Sequence, residues 1–465
     1  VNHLLRGSGC LVDGRVVGAR VSRRGFATLL VFLVIVFGSV IVSMVQTASY
    51  AQAASGREAM SRVRASWAAR AGVEAALSRL EQAREENDTS DAYRALDSMS
   101  QVADGELDSA TWAVRSLQGG KEVPGPTDAA SRISIGRATP DILLSLEPFM
   151  SEDVADAIGD WLDSDDDTRT LGAEIGYYKG LRYGFEPRNG MMRSIAEMEV
   201  VAGVDPQDVR GEDWNLNGLL DPNEDDGDAS WPPDNADGIL DRAWSGLLTV
   251  ASVEDNRGPG GDPKLDITTA KESDLVTRLG VSNDQAKAIV DVMDGIQGVQ
   301  LTEFVRTPLP RLSQQVARQR GGTRQEIQQA ARVRDLSREQ LGKLLEECSM
   351  FPPEILRYVP GRLNINTCDA QTLDYLPQID AEVSDAIIAE RSSKSSGFES
   401  VAELLDVDGM TRQTLATIAE LLCVRSNVYE ITSRGRDERT GLEVEMVAVM
   451  DASTLPATLK EVRVR

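Results

Sequence analysis

Between Phe26 and Val45 the chain runs for twenty residues without a charge, interrupted only by Thr28, Gly38, Ser39 and Ser43. About 20 apolar residues in a helix are enough to cross the hydrocarbon core of a bilayer. A secretory signal would have a shorter apolar core with a small-x-small cleavage site behind it. Here the run starts directly after Arg23-Arg24-Gly25-Phe26. Arg6, Arg15, Arg20, Arg23 and Arg24 precede it against a single Asp13, and the positive-inside bias puts that end in the cytoplasm. Arg57, Arg62, Arg64 and Arg70 follow at a distance, mixed with Glu58 and Glu74. The first proline is Pro124, so nothing forces a helix to stop between Phe26 and about Glu86. Ala69, Val73, Ala76, Leu77 and Leu80 share a face at i, i+3, i+4 spacing. The expectation is one helix over 26–86, about 90 Å long at 1.5 Å per residue. Its first third would sit in lipid and its last part on a soluble domain.

The 49 basic and 74 acidic residues give a net charge of −25. Removing residues 1–25 takes away five arginines and one aspartate and leaves 44 and 73, or −29. Such a surface repels DNA phosphates and suits metal binding or protein contacts. The length has room for two or more domains. The only histidine is His3, so the chain beyond the apolar run has no imidazole for a Ser-His-Asp or Cys-His mechanism or a His-bound zinc. No phosphate loop, dinucleotide fingerprint or nucleophile elbow occurs either, and the protein is not expected to be an enzyme. Beyond Cys10, the cysteines Cys348, Cys368 and Cys423 permit at most one intramolecular bridge. Cys348 and Cys368 are the nearer pair in sequence, and three buried thiols is the other reading.

The middle of the chain repeats. Arg132-Ile-Ser-Ile-Gly-Arg-Ala138 is echoed by Lys264-Leu-Asp-Ile-Thr-Thr-Ala270 and by Arg362-Leu-Asn-Ile-Asn-Thr-Cys368, with Leu143, Leu275 and Leu373 five residues on. Each copy then opens a second helix, at Ser151, Ser282 and Asp380, residues suited to an N-cap. Ser194–Gly203 and Ser400–Gly409 match as a third element, and Leu301, Glu303 and Phe304 keep a shortened version. The spacing is too irregular for a solenoid. The third copy resembles the helix-hairpin-helix modules of DNA-uptake and repair proteins. A DNA-contacting hairpin offers a Gly-x-Gly turn and nearby lysines, whereas the turns here read Leu376–Asp380 and Leu279–Ser282. The unit is therefore expected to serve as scaffold, with no nucleic acid bound.

Residues 213–224 read DWNLNGLLDPNE and satisfy the calcium-loop pattern D-x-[DN]-x-[DN]-G-x5-E. Asp213, Asn215, Asn217 and Asp221 would supply side-chain oxygens, Leu219 its carbonyl, and Glu224 two closing oxygens, with Gly218 permitting the sharp turn. A second, incomplete loop holds Asn235, Asp237 and Asp241 after Pro233, and Asp225, Asp226 and Asp228 stand ready to complete it. A third acidic site combines Asp163, Asp165 and Asp167 with Glu174, where a helix end plus an acidic turn is the plainer reading. Calcium is the expected cofactor.

Eight arginines run from Arg306 to Arg338, around Gly321-Gly322, and read as a solvated helical insertion or a mobile loop, with a partner-binding basic patch as the alternative. The last forty residues alternate in strand fashion at Val428–Ser433, Leu442–Met450 and Leu459–Arg465, with a hairpin turn at Arg436–Gly441. With Ala110–Leu117 they would form a small antiparallel sheet under the long helix.

The junction at Gly25 resembles the type IV pilin class of leader, cut after the glycine by a dedicated prepilin peptidase, which makes Gly25 and Phe26 the expected processing residues. The order of the whole chain resembles the K-type minor pseudopilins of the type II secretion system. The motifs that carry this are the Arg-Gly-Phe leader, the long helix, Asp160-Trp-Leu-Asp-Ser-Asp-Asp-Asp167, Gly172-Ala-Glu174 with Tyr177-Tyr178, Pro187-Arg-Asn-Gly190, and the Leu363-Asn-Ile-Asn-Thr367 unit. Leu30 takes the fifth mature position, where most pilin-class proteins have Glu and K-type members commonly do not. The resemblance implies an α+β protein: a pilin-like long N-terminal helix packed on a small antiparallel sheet, with a large inserted helical domain containing helix-hairpin-helix-like repeats. The expected divisions are a leader at 1–25, the transmembrane and pilin-like helix at 26–86, and a first strand region at 107–127. The insertion then covers 128–426, with calcium loops at 213–241, and the C-terminal strands cover 427–465. The resemblance further implies a subunit that caps the pseudopilus tip with other minor pseudopilins and supports export of folded proteins. It would cross the inner membrane once, with the bulk of the chain in the periplasm. The alternative is a membrane-anchored helix-hairpin-helix protein that binds DNA during uptake.

Overall fold

The computed structural model describes residues 23–86, 91–352 and 358–464. Most of the expected leader, with His3 and Cys10, lies outside the described residues. One helix runs from Arg23 to Glu85, as the proline-free and charge-free run demands. Up to Ser61 it forms a unit of its own. Every side chain from Phe26 to Met60 is exposed within the chain, and this is the one helix among the described residues long and apolar enough to cross a membrane.

The unit from Arg62 onward begins with the remainder of that helix. Its buried stripe is Ala65, Ala69, Val73, Ala76 and Leu80, with Leu77 partly buried beside it. The stripe packs on an antiparallel sheet in the order Asp104–Leu107, Ala110–Gln118, Val428–Asp437, Glu443–Asp451, Thr458–Val464. Lys121–Pro124 pairs with the second of these strands and Thr127–Asp128 with the third. Alanines on the helix keep its axis close to the sheet, and two glycines bring it closer. Gly72 faces Ser433 and Trp112, and Gly435 faces the helix backbone at Ala65 and Ala69. The pairing of Ala110–Arg115 with Thr432–Asp437 joins segments about 300 residues apart, and the chain between Asp128 and Val428 is an insertion into one sheet.

That insertion is three units sharing one core, which runs from Ile135, Ile142 and Ile158 through Leu275 and Ile289 to Leu373 and Ile387. Each unit is closed by a two-residue parallel ladder between its first and last segments. Ile133-Ser134 pairs with Leu248-Thr249, Leu265-Asp266 with Cys348-Ser349, and Leu363-Asn364 with Leu422-Cys423. Helix pairs follow the first strand: Pro140–Ser145 with Glu152–Leu162, Glu272–Leu279 with Asn283–Gly295, and Ala370–Asp374 with Ala381–Ser393. Ser282 and Asp380 cap their helices through the side chain, whereas Ser151 holds the cap position without such a bond. The third elements coincide closely. Gly203 and Gly409 have φ of +81° and +82°, and each would bring a Cβ 3.0 Å from the Cγ2 of Val154 or Val383.

The arginine-rich segment is the helical insertion of the two readings and not the mobile loop. Leu309–Gln319 is a helix whose Leu309, Leu312 and Val316 are buried in the common core, and Arg324–Ala330 forms a second helix after the Gly321 turn. Cys348, Cys368 and Cys423 are buried free thiols. Burial pushes each above its ordinary range, to about 12 for Cys348 and Cys368 and higher still for Cys423, so none is poised as a thiolate nucleophile.

Candidate metal centre

The acidic loops replace part of one helix. In the third unit the last helix, Arg412–Ile418, leads straight to its closing strand. In the first unit the corresponding place is shared by two short helices, Pro206–Arg210 and Ala243–Leu247, which pack together with residues 211–242 between them.

Within 213–224 the side chains first build the loop. Asp213 accepts from the amides of Asn217 and Gly218, both at 2.9 Å. Asn215 Oδ1 accepts from Asn217 N, and Asn217 Oδ1 from Leu219 N. Leu216 and Gly218 take φ of +55° and +70°, so the glycine stands where the left-handed backbone favours it. Glu224 closes the turn, accepting from Trp214 N and Asp221 N, both at 3.1 Å. Asp213, Asn217 and Glu224 are buried. Burial, with Asp213 and Asp221 nearby, pushes the Glu224 carboxyl up to about 7.

The carboxylates are not gathered into a ready cage. Among the described residues no three His, Cys, Asp or Glu side chains are grouped as a metal site. Asp221 takes an ion pair from Arg434 at 2.7 Å and the side-chain amides of Asn215 and Asn217, and Asp213 faces Arg242 at 3.3 Å. Two guanidinium groups thus occupy the outer sides of the loop and balance carboxylates that would otherwise repel one another.

The second loop repeats the backbone of the first. Ala236 and Gly238 have φ of +53° and +76°, and Asn235 and Asp237 accept from Asp237 N and Ile239 N. Its missing carboxylates come from elsewhere. Asp225 accepts from Gly238 N at 2.9 Å, as Asp213 does from Gly218. Glu212 accepts from Asn235 N and Asp241 N at 3.2 and 2.9 Å, as Glu224 does within its own loop. Asp226 instead bonds Ser230. Sequence spacing could not reveal Glu212, because it serves a loop that begins about twenty residues later.

The third acidic site has the most open chemistry. Glu174 is buried, and neither of its carboxylate oxygens has a hydrogen-bond partner; Asp163 Oδ1 is also unpartnered. Burial, followed by Asp160, Asp163 and Asp166, pushes the Glu174 carboxyl up. Arg169 holds Asp160 and Asp163 at 2.8 and 2.7 Å, Asp165 accepts from Asp167 N, and Asn189 reaches Asp165 O and Asp166. Asp165 and Asp167 are exposed. The aromatic members of the motif are structural: Trp161 and Tyr178 are buried with ring centroids 5.2 Å apart. Trp161 donates to Glu197, which also pairs with Arg188. Two unpartnered buried carboxylate oxygens facing further carboxylates fit an oxygen-liganded cation.

The hairpin turns offer no phosphate cradle. Gln378 takes the left-handed conformation in the third unit and Gly280 in the second, without a Gly-x-Gly run.

Three comparisons bear on this architecture. Residues 142–211, which contain the third acidic site and its aromatic shell, match the family model described as type II secretion system (T2SS), protein K. Residues 361–423, the third unit, match the helix-hairpin-helix motif model. Among solved structures, a chain of the GspK-GspI-GspJ complex from the enterotoxigenic Escherichia coli type 2 secretion system is 13% identical, with a TM-score of 0.42, over 88% of this chain and 99% of that one. No curated protein matches. The recognition of a K-type minor pseudopilin and of a helix-hairpin-helix unit is borne out where those models fall, and the calcium-type loops at 213–241 lie beyond both.

Proposed function

We propose that this chain, which carries the type II secretion protein K domain at residues 142–211, caps the tip of a type II secretion pseudopilus and supports export of folded proteins without catalysing a reaction. One observation carries the reading. The protein K match sits in an insertion within an antiparallel sheet, and that sheet is packed on the end of a helix whose beginning is apolar enough to cross a membrane. The helix would anchor the protein once in the inner membrane, with the remainder in the periplasm. Prepilin peptidase would cut between Gly25 and Phe26. Leu30, apolar where an assembling pilin has a carboxylate, suits a subunit with none docked above it. Its partners would be other minor pseudopilins.

Calcium is part of the proposal. Asp213, Asn215, Asn217, Leu219, Asp221 and Glu224 would hold one ion, with Arg242 and Arg434 releasing their carboxylates. Asn235, Asp237 and Asp241 would hold a second with Asp225 and Glu212. Asp163 and Glu174 would hold another, with Asp165 and Asp167 at its exposed side. A divalent cation there would tie loops to the helix frame and remove repulsion between buried carboxylates.

Mass analysis of membrane-extracted protein tests the first part: the chain should begin at Phe26, and an intact leader or a distal cut refutes it. Calcium titration of the full chain in detergent should raise its melting temperature. Asp213→Ala with Glu224→Ala should remove part of that rise, and an unchanged rise would show that the first loop is merely acidic.

A further inference from the structure

Against a chain of net charge −25, residues 309–334 carry six arginines and one glutamate, or +5, with no lysine. The two helices of this segment turn their apolar residues inward and their guanidinium groups out. Leu309, Leu312 and Val316 are buried, while Arg311 and Arg318, seven residues apart, lie on the opposite face of the first helix. Arg324, Arg332 and Arg334 follow on the second helix and behind it, also exposed.

Their neighbours differ from them. Arg306, Arg320 and Arg338 are paired with Glu303, Asp291 and Asp406. The guanidinium groups of Arg311, Arg318, Arg324, Arg332 and Arg334 have no hydrogen bond or ion pair among the described residues. In a protein this acidic, five unpaired cations in one helical hairpin are not explained by internal charge balance.

We propose that this hairpin docks an Asp/Glu-rich segment of a separate polypeptide. Arginine suits carboxylates because its planar fork can bond both oxygens at once. Three features favour this occupant. The hairpin has no aromatic residue to stack on bases. No large apolar side chain between Ile239 and Phe351 is exposed, so the surface lacks the residues that enter a bilayer interface. In the acidic loops of a second copy Asp213, Asp221 and Asp163 are already engaged, by Arg242, Arg434 and Arg169. The inference stands apart from the metal sites and from the secretion role.

The test uses the full chain in detergent and a fluorescent poly-glutamate peptide of about 15 residues, at about 20 mM salt, where screening is weak. The peptide should bind, and binding should fall steeply by about 200 mM salt. Replacing all five arginines by Gln, which touches no buried contact, should weaken binding by about tenfold to a hundredfold. Lysine in the same places should restore part of it. Duplex DNA and water-soluble dihexanoyl phosphatidylglycerol serve as competitors. No peptide binding, or equal binding by the Gln variant, overturns the proposal. So does preferential binding of DNA or the lipid headgroup, or salt-sensitive self-association that the Gln variant abolishes.

Discussion

The close backbone approach between helix and sheet makes Gly435→Ala a severe test of the helix-on-sheet packing. A Cβ at Gly435 would stand 2.0 Å from the Ala65 carbonyl oxygen and 2.4 Å from the Ala69 nitrogen. Both atoms are helix backbone, so neither can rotate away. Restoring a tolerable carbon–oxygen distance, at least ~3.3 Å, requires the helix to lift by about 1 Å. A gap of that size forfeits a quarter to a half of the contact energy of the atoms it separates, and here those atoms belong to Ala65, Ala69, Val73, Ala76 and Leu80. Overpacking usually costs about 1–3 kcal/mol, and two rigid backbones place this case at about 2–3 kcal/mol. Local opening should therefore be about 30- to 150-fold more frequent. Amide exchange of the full chain in detergent reads this directly, as faster exchange in peptides from 428–437 and 62–85. Exchange within the repeat core should change little, because separate cooperative units open separately. Gly72→Ala should have a smaller effect. Its Cβ would meet Ser433 Oγ at 2.4 Å and Trp112 Cδ1 at 2.8 Å, side-chain atoms that can give way, and alanine gains about 1 kcal/mol in helix propensity. Gly56→Ala, with nothing within 4 Å, is the control. Unchanged protection of the strand in Gly435→Ala, or the ranking reversed, would refute the packing argument.

Glu254 accepts from Arg362 Nε at 2.9 and 3.1 Å. Burial opposes its ionisation, but Arg362, Lys264 and Arg137 outweigh burial and hold it at about 2. Because the folded value lies below the unfolded one, this pair stabilises fully above about pH 4.5, and the contribution is lost as pH falls toward 2. Arg362→Met should cost about 3–5 kcal/mol at neutral pH by stranding the carboxylate, and adding Glu254→Gln should recover most of it; melting curves of the single and double variants decide this. Glu346 behaves oppositely, since burial first of all pushes it up to about 7 despite Arg425 and Arg362. Its contribution is greatest below about pH 4.5 and is lost as pH rises through 7, so Glu346→Gln should raise the melting temperature at pH 8 and leave it unchanged at pH 4. For the second acidic loop, Glu212→Gln should lower the number of calcium ions bound in calorimetric titration by one while Asp213 and Glu224 retain theirs.

The long helix was legible because two strong local signals coincide: no charge for twenty residues and no proline until Pro124. Three sheet strands were legible from alternation, and the repeats from the recurring Ile-x-Ile-type openings. The ladders that close the repeats were not. Ile133 with Leu248, Leu265 with Cys348 and Leu363 with Leu422 are two-residue pairings across 59 to 115 positions, too short for periodicity to register. The arginine-rich segment was read by its charge, although Leu309, Leu312 and Val316 already carried a helical stripe. Charge dominates the composition there, but three aliphatic residues decide where the helix sits.

The openings of the three repeats show that charge alone does not place a residue at the surface. Arg132, Lys264 and Arg362 precede the first strand of each unit, and a basic residue beside a strand end normally faces water. Arg132 is instead buried, pairing with Glu430 on the central strand of the sheet. Arg362 pairs with Glu254, and Lys264, held down to about 8 by burial and by Arg362, shares the same carboxylate field. Glu254 lies between the first unit and the second, so one carboxylate joins the second and third openings. Breaking one partner would strand a charge in a low-dielectric seam, whereas keeping all of them fixes the register of unit against unit and of insertion against sheet. The repeated basic position is therefore a joint in the scaffold, and these charges are unavailable to a nucleic acid. Among the described residues, five guanidinium groups without an internal partner lie together in the hairpin at 309–334, which has no counterpart in the other two repeats.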